Sequence, residues 1–157
     1  MNPNQKGARR NQKGLRLWTH GRALAALPYV RSVIGSLREH RLEVQQQRRL
    51  ARRLADRPGR PDRATLVAHQ EALQEASRAE ARYEETLKEL QGLGITCRDA
   101  VRGQALLPFV HKKRLAWFLF DLFDGEPIRF WRYQDDPEDV RRPVGVSEED
   151  PSNFPVS

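Results

Sequence analysis

Clustered basic side chains are the residues of this chain whose chemistry is easiest to interpret. Residues 1–65 carry 16 Lys and Arg but only 4 Asp and Glu, whereas residues 66–94 carry 3 and 6. Clustered Lys and Arg neutralise backbone phosphates, so the basic front could bind RNA or DNA. The candidates for phosphate contact are Lys6, Arg9, Arg10, Lys13, Arg48, Arg49, Arg52 and Arg53.

The same arginines could instead pair with acidic side chains inside a helical hairpin. With a turn near residue 60, antiparallel packing predicts these neighbours: Arg48 and Arg52 beside Glu71 and Glu75, and Arg38 and Arg41 beside Glu80 and Glu84. Exposed ion pairs contribute about 0–1 kcal/mol each, so they would set pairing and solubility more than stability. Charge pairing is the simpler interpretation, but the basic front carries more charge than the acidic helix can neutralise.

Asp121 is the second candidate for chemistry, because it interrupts an apolar run over residues 115–123. Both alternating faces of that run are apolar, which is typical of a strand covered on both sides. A lone buried carboxylate is costly, so Asp121 should pair with Arg129, Arg132 or Arg141. A structural ion pair is the simpler interpretation, and a pocket holding an acid of perturbed pKa is the functional one.

Aromatic residues concentrate around the same strand: Trp117, Phe118, Phe120, Phe130, Trp131 and Tyr133. Such a set could stack on nucleic-acid bases, but it is more often a core packed against helices. A sheet that is apolar on both sides has one face more than a single helical hairpin can cover. We therefore predict that a spare apolar face binds a second copy or another protein. The interface candidates are Trp117, Phe118 and Trp131, with Asp121 and Arg141 orienting the partner.

No residue set of the chain has the spacing of a catalytic or metal site. The four histidines, His20, His40, His69 and His111, show no paired ligand spacing, and Cys97 has no cysteine near it. There is no glycine-rich phosphate loop after a strand and no nucleophile motif. We predict a non-enzymatic protein with no catalytic residues, no metal, no cofactor and no identified small-molecule substrate.

Two long helices must position the basic residues. Thr19 is a plausible N-cap, and Pro28 predicts a short helix followed by a kink. Asp62 should cap the second helix, and Gly94 should end it. The apolar stripe expected to face the first helix is Leu66, Leu73, Ala76, Tyr83, Leu87 and Leu90. Together these signals predict an antiparallel, coiled-coil-like hairpin over residues 18–94.

Short strands must position Asp121 and the aromatic residues. Strands are expected at residues 95–99 and 104–109, with Pro108 suggesting an edge position. The apolar run then forms a hairpin around Asp124-Gly125. Asp136-Pro137-Glu138-Asp139 has the form of a helix start. We predict a β-meander with a C-terminal fold-back over residues 95–143, a disordered basic tail over 1–17 and a flexible acidic tail over 144–157.

The location of the protein is predicted from what its sequence lacks. A single cysteine forms no intramolecular disulfide, which favours a reducing compartment. The first residues contain no apolar segment of a signal peptide. The longest apolar run is about half of the roughly 20 residues that a membrane span needs. We therefore expect a soluble cytoplasmic protein that does not bind a membrane.

Several short motifs occur in an order that resembles an uncharacterised bacterial family, the domain of unknown function 2203. The matching pieces are Ala26-Leu27-Pro28, Gly94-Ile95-Thr96-Cys97-Arg98-Asp99, Gly103 with the apolar stretch to Pro108, Gly125-Glu126-Pro127, Trp131, and Arg141-Arg142-Pro143. The resemblance covers residues 19–144. It implies a long helical hairpin followed by a small β-meander, and it carries over no reaction.

The chain departs from the family pattern at two places. The family usually shows Cys-Trp in the strand before the Gly-Glu-Pro turn, where this chain has Phe120-Asp121-Leu122. The family's Trp-His appears here as Trp131-Arg132. These departures weaken any expectation of a metal or redox site at those Cys and His positions.

The sequence as a whole predicts an α+β fold, with a long antiparallel helical hairpin packed on a small antiparallel β-meander. The expected function is a protein-interaction or scaffold module that acts through the apolar sheet face, the hairpin tip, or both. The alternative is an RNA- or DNA-associated accessory protein that uses the basic tail and the arginine-rich tip.

Overall fold

The computed structural model describes residues 16–145. Most of both predicted tails, including Lys6, Arg9, Arg10 and Lys13, lies outside the described residues. The elements follow in the order α1 (His20–Ala25), α2 (Leu27–Ala55), α3 (Arg63–Gly92), β1 (Thr96–Asp99), β2 (Gln104–His111), β3 (Arg114–Asp121), β4 (Ile128–Tyr133) and β5 (Arg142–Pro143). Long helices packed together precede a five-stranded antiparallel sheet, so the α+β prediction is confirmed.

The helix ends lie where their local signals place them. The Thr19 hydroxyl accepts the backbone N–H of Arg22 at 3.1 Å and caps α1. The Asp62 carboxylate accepts the N–H of Thr65 at 2.8 Å and caps α3. Gly94 ends α3 with a φ of +79°, and a Cβ there would lie 2.7 Å from the Cβ of Arg16. Only glycine fits that position without strain and a clash.

The sheet runs β1-β2-β3-β4-β5, and each strand is antiparallel to its neighbour. Lys112 and Lys113 form a two-residue turn between β2 and β3, with φ values of +50° and +66°. Positive φ at both residues is the conformation of a type I′ hairpin turn, although lysine is not among the residues that favour it. Between β3 and β4 a longer loop, residues 122–127, contains the predicted Asp-Gly turn, and Asp124 accepts the N–H of Glu126 there at 2.9 Å.

Two expectations about the sheet and the segment that follows β4 were wrong. Pro108 lies in β2, which is an inner strand rather than an edge strand. The Pro108 carbonyl accepts the N–H of Trp18 at 2.7 Å, on the side of β2 where β1 has already ended. The Pro108 nitrogen faces the same side, so the N–H that proline lacks is not needed to pair with a strand. No helix starts at Asp136, since its carboxylate accepts the Tyr133 N–H at 2.8 Å and pairs with Arg142 instead.

The hydrophobic core lies between one face of the sheet, which we call the inner face, and the half of the hairpin nearest to it. Phe118 and Phe109 are fully buried, and their rings stack with centroids 3.9 Å apart. Val30, Ile34, Leu37 and Leu90 supply the helical side of this core. The hairpin therefore continues beyond the sheet, and its far end must be held by helix–helix contacts alone.

The far end of the hairpin, residues 44–76, is called the hairpin tip below. Its buried side chains on α3 are small, namely Thr65, Ala72 and Ala76. Leu66 and Leu73, which were predicted to face α2, are 56% and 44% exposed. That prediction was wrong, because small side chains allow the two helices to pack closely and leave the neighbouring large ones outside.

Candidate functional site

A small cavity opens on the sheet face turned away from the helices, the outer face. Its volume is about 80 Å³, and the polar residues that line it are Arg98, Gln104, Asp121, Asp124, Arg129, Arg132, Glu138 and Arg141. Leu119 and Phe130 form part of its floor, and they are paired across β3 and β4. We call it the outer-face cavity, and it is one of two candidate sites on the molecule.

Asp121 ends β3 at the rim of this cavity. Its Oδ1 accepts the backbone N–H of Phe123 at 3.0 Å. Within the described residues it forms no ion pair with Arg129, Arg132 or Arg141, so the predicted structural ion pair is wrong. Arg129 instead donates two hydrogen bonds to Asp124, at 3.1 and 2.8 Å, and these lower the pKa of the Asp124 carboxyl.

Arg132 and Arg141 are less fully paired than their neighbours. Arg132 is 5% exposed, and its Nη1 donates only a long hydrogen bond of 3.4 Å to the Asp136 carbonyl. Arg141 is exposed and donates to the Glu138 carbonyl at 3.5 Å. In residues 16–145 neither guanidinium lies within 4.0 Å of a carboxylate oxygen. Arg98, by contrast, lies 3.7 Å from Glu138.

Sequence reasoning found this cavity only in part. It named Asp121, Arg132 and Arg141 but not Arg98, Gln104 or Glu138. Alternation along β1 and β2 could have placed Arg98 and Gln104 on the face opposite the core, whereas Glu138 lies in an irregular segment without such a signal. Asp121 and Arg132, which lie at the two departures from the family pattern, line the same cavity.

The aromatic interface candidates divide between the two faces of the sheet. Phe118 is fully buried and Trp131 is 5% exposed, both in the inner-face core. Their interface role is corrected, because side chains buried in the core cannot contact a partner. Trp117 lies on the outer face, half-buried, and remains a candidate.

The place of His111 in a buried aromatic group near the β2–β3 turn was not predicted from the sequence. The Nδ1 of His111 lies 2.8 Å from the Tyr133 hydroxyl, and its ring centroid lies 4.4 Å from that of Trp131. The pKa of His111 is lowered chiefly by burial, and further by Lys112, Arg142 and Arg114. The lowered pKa disfavours the charged imidazolium, and the contacts of the ring with Tyr133 and Trp131 hold this corner of the core together.

The hairpin tip is the second candidate site, and its ion pairs differ from those predicted. Arg48 pairs with Glu80 at 3.0 Å, whereas Glu75 pairs with Arg78 and Arg82 of its own helix at 2.7 and 3.5 Å. The prediction that Arg48 and Arg52 pair with Glu71 and Glu75 was therefore wrong.

The predicted pairs nearer the sheet were also wrong. Arg38 donates to the Val101 carbonyl at 2.8 Å, and Arg41 lies over the Tyr83 ring at 5.6 Å from its centroid. The register of α2 against α3 therefore differs from the register expected for an antiparallel pair with its turn centred near residue 60. The acidic residues of α3 consequently leave most of the basic charge of α2 without a cross-helix partner.

Exposed leucines and arginines share one side of the hairpin tip. Leu66 and Leu73 precede Glu80 at seven-residue intervals, so all three lie along one side of α3. Arg52 follows Arg48 by one helical turn. Because Arg48 pairs with Glu80, the arginine side of α2 meets the leucine side of α3 at Glu80, about 21 Å along the helix axis from Leu66. We call Arg48, Arg52, Leu66 and Leu73 the tip flank.

Three further findings bear on chemistry. Among the described residues there is no group of three or more His, Cys, Asp or Glu side chains that could hold a metal ion. The pKa of the Cys97 thiol is raised by burial and then by Asp99, so its reactive thiolate is disfavoured. No helix in residues 16–145 is long and apolar enough to cross a membrane.

Comparison with known proteins gives a family match. The family model described as "Uncharacterized conserved protein (DUF2203)" matches residues 16–144, which include the hairpin, the sheet and both candidate sites. The match confirms the resemblance inferred from the short motifs. Searches of curated proteins and of solved structures return no match.

Proposed function

We propose that this chain, which belongs to the DUF2203 family, is a non-enzymatic protein-interaction module whose hairpin tip binds an acidic amphipathic helix. The observation that carries the proposal is the outward position of Leu66 and Leu73 on the side of α3 that continues to Glu80, the residue with which Arg48 pairs. Two exposed leucines one heptad apart form the kind of apolar stripe that packs against another helix.

Burial of these leucines would supply the affinity. Leu66 is 56% exposed and Leu73 is 44% exposed. Complete burial of a leucine side chain contributes about 1.5–3 kcal/mol, so a partner that covers both exposed parts gains a substantial fraction of that value twice. Thr65, Ala72 and Ala76 hold the hairpin together beneath them, so the stripe is available without local unfolding.

Charge selects the kind of partner. Residues 48–63 contain seven Arg and two Asp, and on the tip flank Arg48 is already paired with Glu80 while Arg52 has no carboxylate partner in the described part of the chain. A second copy of the tip would place arginines against arginines, which is unfavourable. An amphipathic helix with apolar residues on one face and Glu or Asp beside them complements both features of the flank.

A designed peptide tests this proposal. The probe is a helical peptide with leucines at heptad positions and glutamates beside them, and its matched control replaces every glutamate with lysine. We expect the acidic peptide to bind in a fluorescence anisotropy titration and the lysine peptide not to bind. The variant Leu66→Ser/Leu73→Ser should weaken binding at least about tenfold, because 1.4 kcal/mol corresponds to that factor.

A matched variant distinguishes the tip from other apolar surface. Leu115 is 42% exposed on the outer sheet face, so Leu115→Ser removes a similar exposed leucine far from the tip flank. Its affinity for the acidic peptide should equal that of the unaltered protein. Absence of binding by the acidic peptide, or equal loss in both variants, would show that the tip flank is not the docking surface.

Nucleic-acid binding is the second candidate function, and one observation favours it. Arg49, Arg52 and Arg53 are exposed, and in the described part of the chain they form no ion pair. We propose an oligonucleotide titration at several salt concentrations as the test. Phosphate contacts predict a steep fall in affinity with salt, and Arg49→Gln/Arg53→Gln should make that dependence shallower. Leu66→Ser/Leu73→Ser should leave oligonucleotide binding unchanged, which separates this function from helix docking.

A further inference from the structure

We infer that the outer-face cavity binds the carboxylate group of a small organic acid that carries a neighbouring amino or hydroxyl group. This site lies on the sheet and not on the hairpin tip, so it stands or fails independently of the proposed docking function. The inference depends on three properties of the cavity: its uncompensated guanidinium groups, its size, and the acceptor that Asp121 provides at its rim.

The charges of the cavity do not cancel within the described residues. Arg129 is held by Asp124, and Arg98 lies near Glu138. After these pairs, the lining residues Arg132 and Arg141 remain without a carboxylate partner, opposite the single carboxylate of Asp121. The cavity therefore retains one more positive charge than negative charge, which suits a ligand with one negative charge.

Arg132 is the strongest indication of a ligand. It is only 5% exposed, and its one hydrogen bond within residues 16–145 is the 3.4 Å contact to the Asp136 carbonyl. A cation that is largely withdrawn from water and has no anionic partner is destabilised. The Arg132 nitrogens without a hydrogen bond are not sealed from solvent, so a ligand can reach them. A carboxylate in the cavity would offset that destabilisation, because a guanidinium donates two parallel hydrogen bonds to it.

Size favours a small ligand, and local charge favours a carboxylate over a phosphate. The volume of about 80 Å³ is far below the roughly 300–1,000 Å³ of pockets that enclose drug-sized ligands. It accommodates a carboxylate with a few attached atoms. Asp121, Asp124 and Glu138 also line the cavity, and their negative charges would repel a doubly charged phosphate more than a monoanion.

Asp121 supplies the second half of the recognition. One of its oxygens accepts the Phe123 N–H at 3.0 Å, which fixes the carboxylate at the end of β3. An ionised carboxylate has about four acceptor positions, so Asp121 can also accept from a ligand. A hydroxyl or ammonium group of the ligand can donate to it while the ligand's carboxylate contacts the arginines that line the same cavity.

Binding can be measured directly on the full chain by NMR. The side-chain Nε–H signals of arginine and the backbone amides near residues 121–123 and 138–141 are followed while sodium glycolate is added at constant ionic strength. We expect saturable shifts confined to these signals. Glycinamide, which has the donor group but no carboxylate, should produce none, and inorganic phosphate should bind more weakly than glycolate.

Substitutions locate the site and keep the test falsifiable. Arg132→Gln should weaken glycolate binding at least about tenfold, which is the loss of one charge-assisted contact of 1.4 kcal/mol or more. Because Arg132 is buried, Arg141→Gln at an exposed position is the second variant, and it should weaken binding severalfold. Arg82→Gln, on α3 outside the cavity, is the matched control and should bind glycolate normally.

One further arm separates the two possible sources of the carboxylate. Acetyl-glycyl-glycine presents the free carboxyl end of a peptide. Its C-terminal amide, which has no carboxylate, is the control. Acetyl-glycyl-glycine itself has no hydroxyl or amino group next to its carboxylate, so it should bind more weakly than glycolate, and tighter binding would overturn the inference in favour of a chain terminus. The inference is wrong if no carboxylate gives saturable shifts, if phosphate binds more tightly than glycolate, or if Arg141→Gln and Arg82→Gln bind glycolate equally well.

Discussion

The inner face of the sheet and the hairpin tip are both held by apolar contacts, but they differ in the size of the side chains that they bury. On the inner face the largest side chains are buried, including Phe109, Phe118 and Phe120. At the tip the buried side chains of α3 are small, and Leu66 and Leu73 point outward. The same chain therefore buries its large apolar side chains in one region and exposes two of them in the other.

The number of neighbours explains the difference. An inner-face residue lies between the sheet and two helices, so a large aromatic ring finds contacts on every side. At the tip each helix has one partner, which can cover only a narrow stripe of its surface. Small residues in that stripe hold the helices close together. Large residues beside it remain exposed, which is how a surface for a third helix arises.

Removing one inner-face ring should produce the largest effect on stability. Phe118→Ala deletes a fully buried ring that stacks on Phe109 at 3.9 Å. The expected loss is about 3–5 kcal/mol in the free energy of unfolding, measured by denaturant titration of the helical circular dichroism signal. Leu73→Ala at the tip is the comparison and should change stability by no more than about 0.5 kcal/mol. Similar losses in both variants would contradict the contrast between the two regions.

Enlarging a small residue at the tip should have the next largest effect. Ala76 is 5% exposed in the contact between α2 and α3. Ala76→Leu forces extra volume into that contact and should cost about 1–3 kcal/mol in the same denaturant measurement. Ala81→Leu, at an exposed position of the same helix, should be close to neutral. A stable Ala76→Leu variant would show that close packing of small residues is not what holds the tip.

Acidification should have the smallest effect, and it should act on the inner-face side only. Burial lowers the pKa values of His111 and His20 below 6.5. The unfolded chain therefore takes up protons at a higher pH than the folded chain. The contribution of these two histidines to the free energy of unfolding is fully present above pH 6.5. It declines as the pH falls through 6.5 toward the lower pKa of the folded state.

The measurement compares the free energy of unfolding at about pH 7.5 and about pH 5.5, where aspartates with their ordinary pKa remain ionised. The unaltered protein should be less stable at the lower pH. His111→Gln should reduce that difference, whereas His69→Gln on the hairpin should leave it unchanged. A pH response that is insensitive to His111→Gln would assign the acid effect to other groups.

Local signals gave the helix ends correctly because each depends on neighbours in the chain. Thr19 and Asp62 cap their helices through N–H groups three residues away. Pro28 lies in the first turn of α2, directly after the break at Ala26 that separates α1 from α2, and Gly94 ends α3. The order of short motifs likewise identified the family without any tertiary information. These features could be predicted because none of them depends on how the elements are oriented.

Contacts between elements could not be predicted in the same way. The offset of the two helices determines that Arg48 meets Glu80. The twist of the sheet, together with the segment after β4, determines that Asp121 and Arg132 line one cavity. The sequence by itself determined most of the helix and strand segments and which side chains carry charge, although it also suggested a helix start at Asp136 that does not form. Only the tertiary structure decided which apolar residues are buried and which arginines lack partners, because packing selects side chains by fit across an interface and not by size or charge alone.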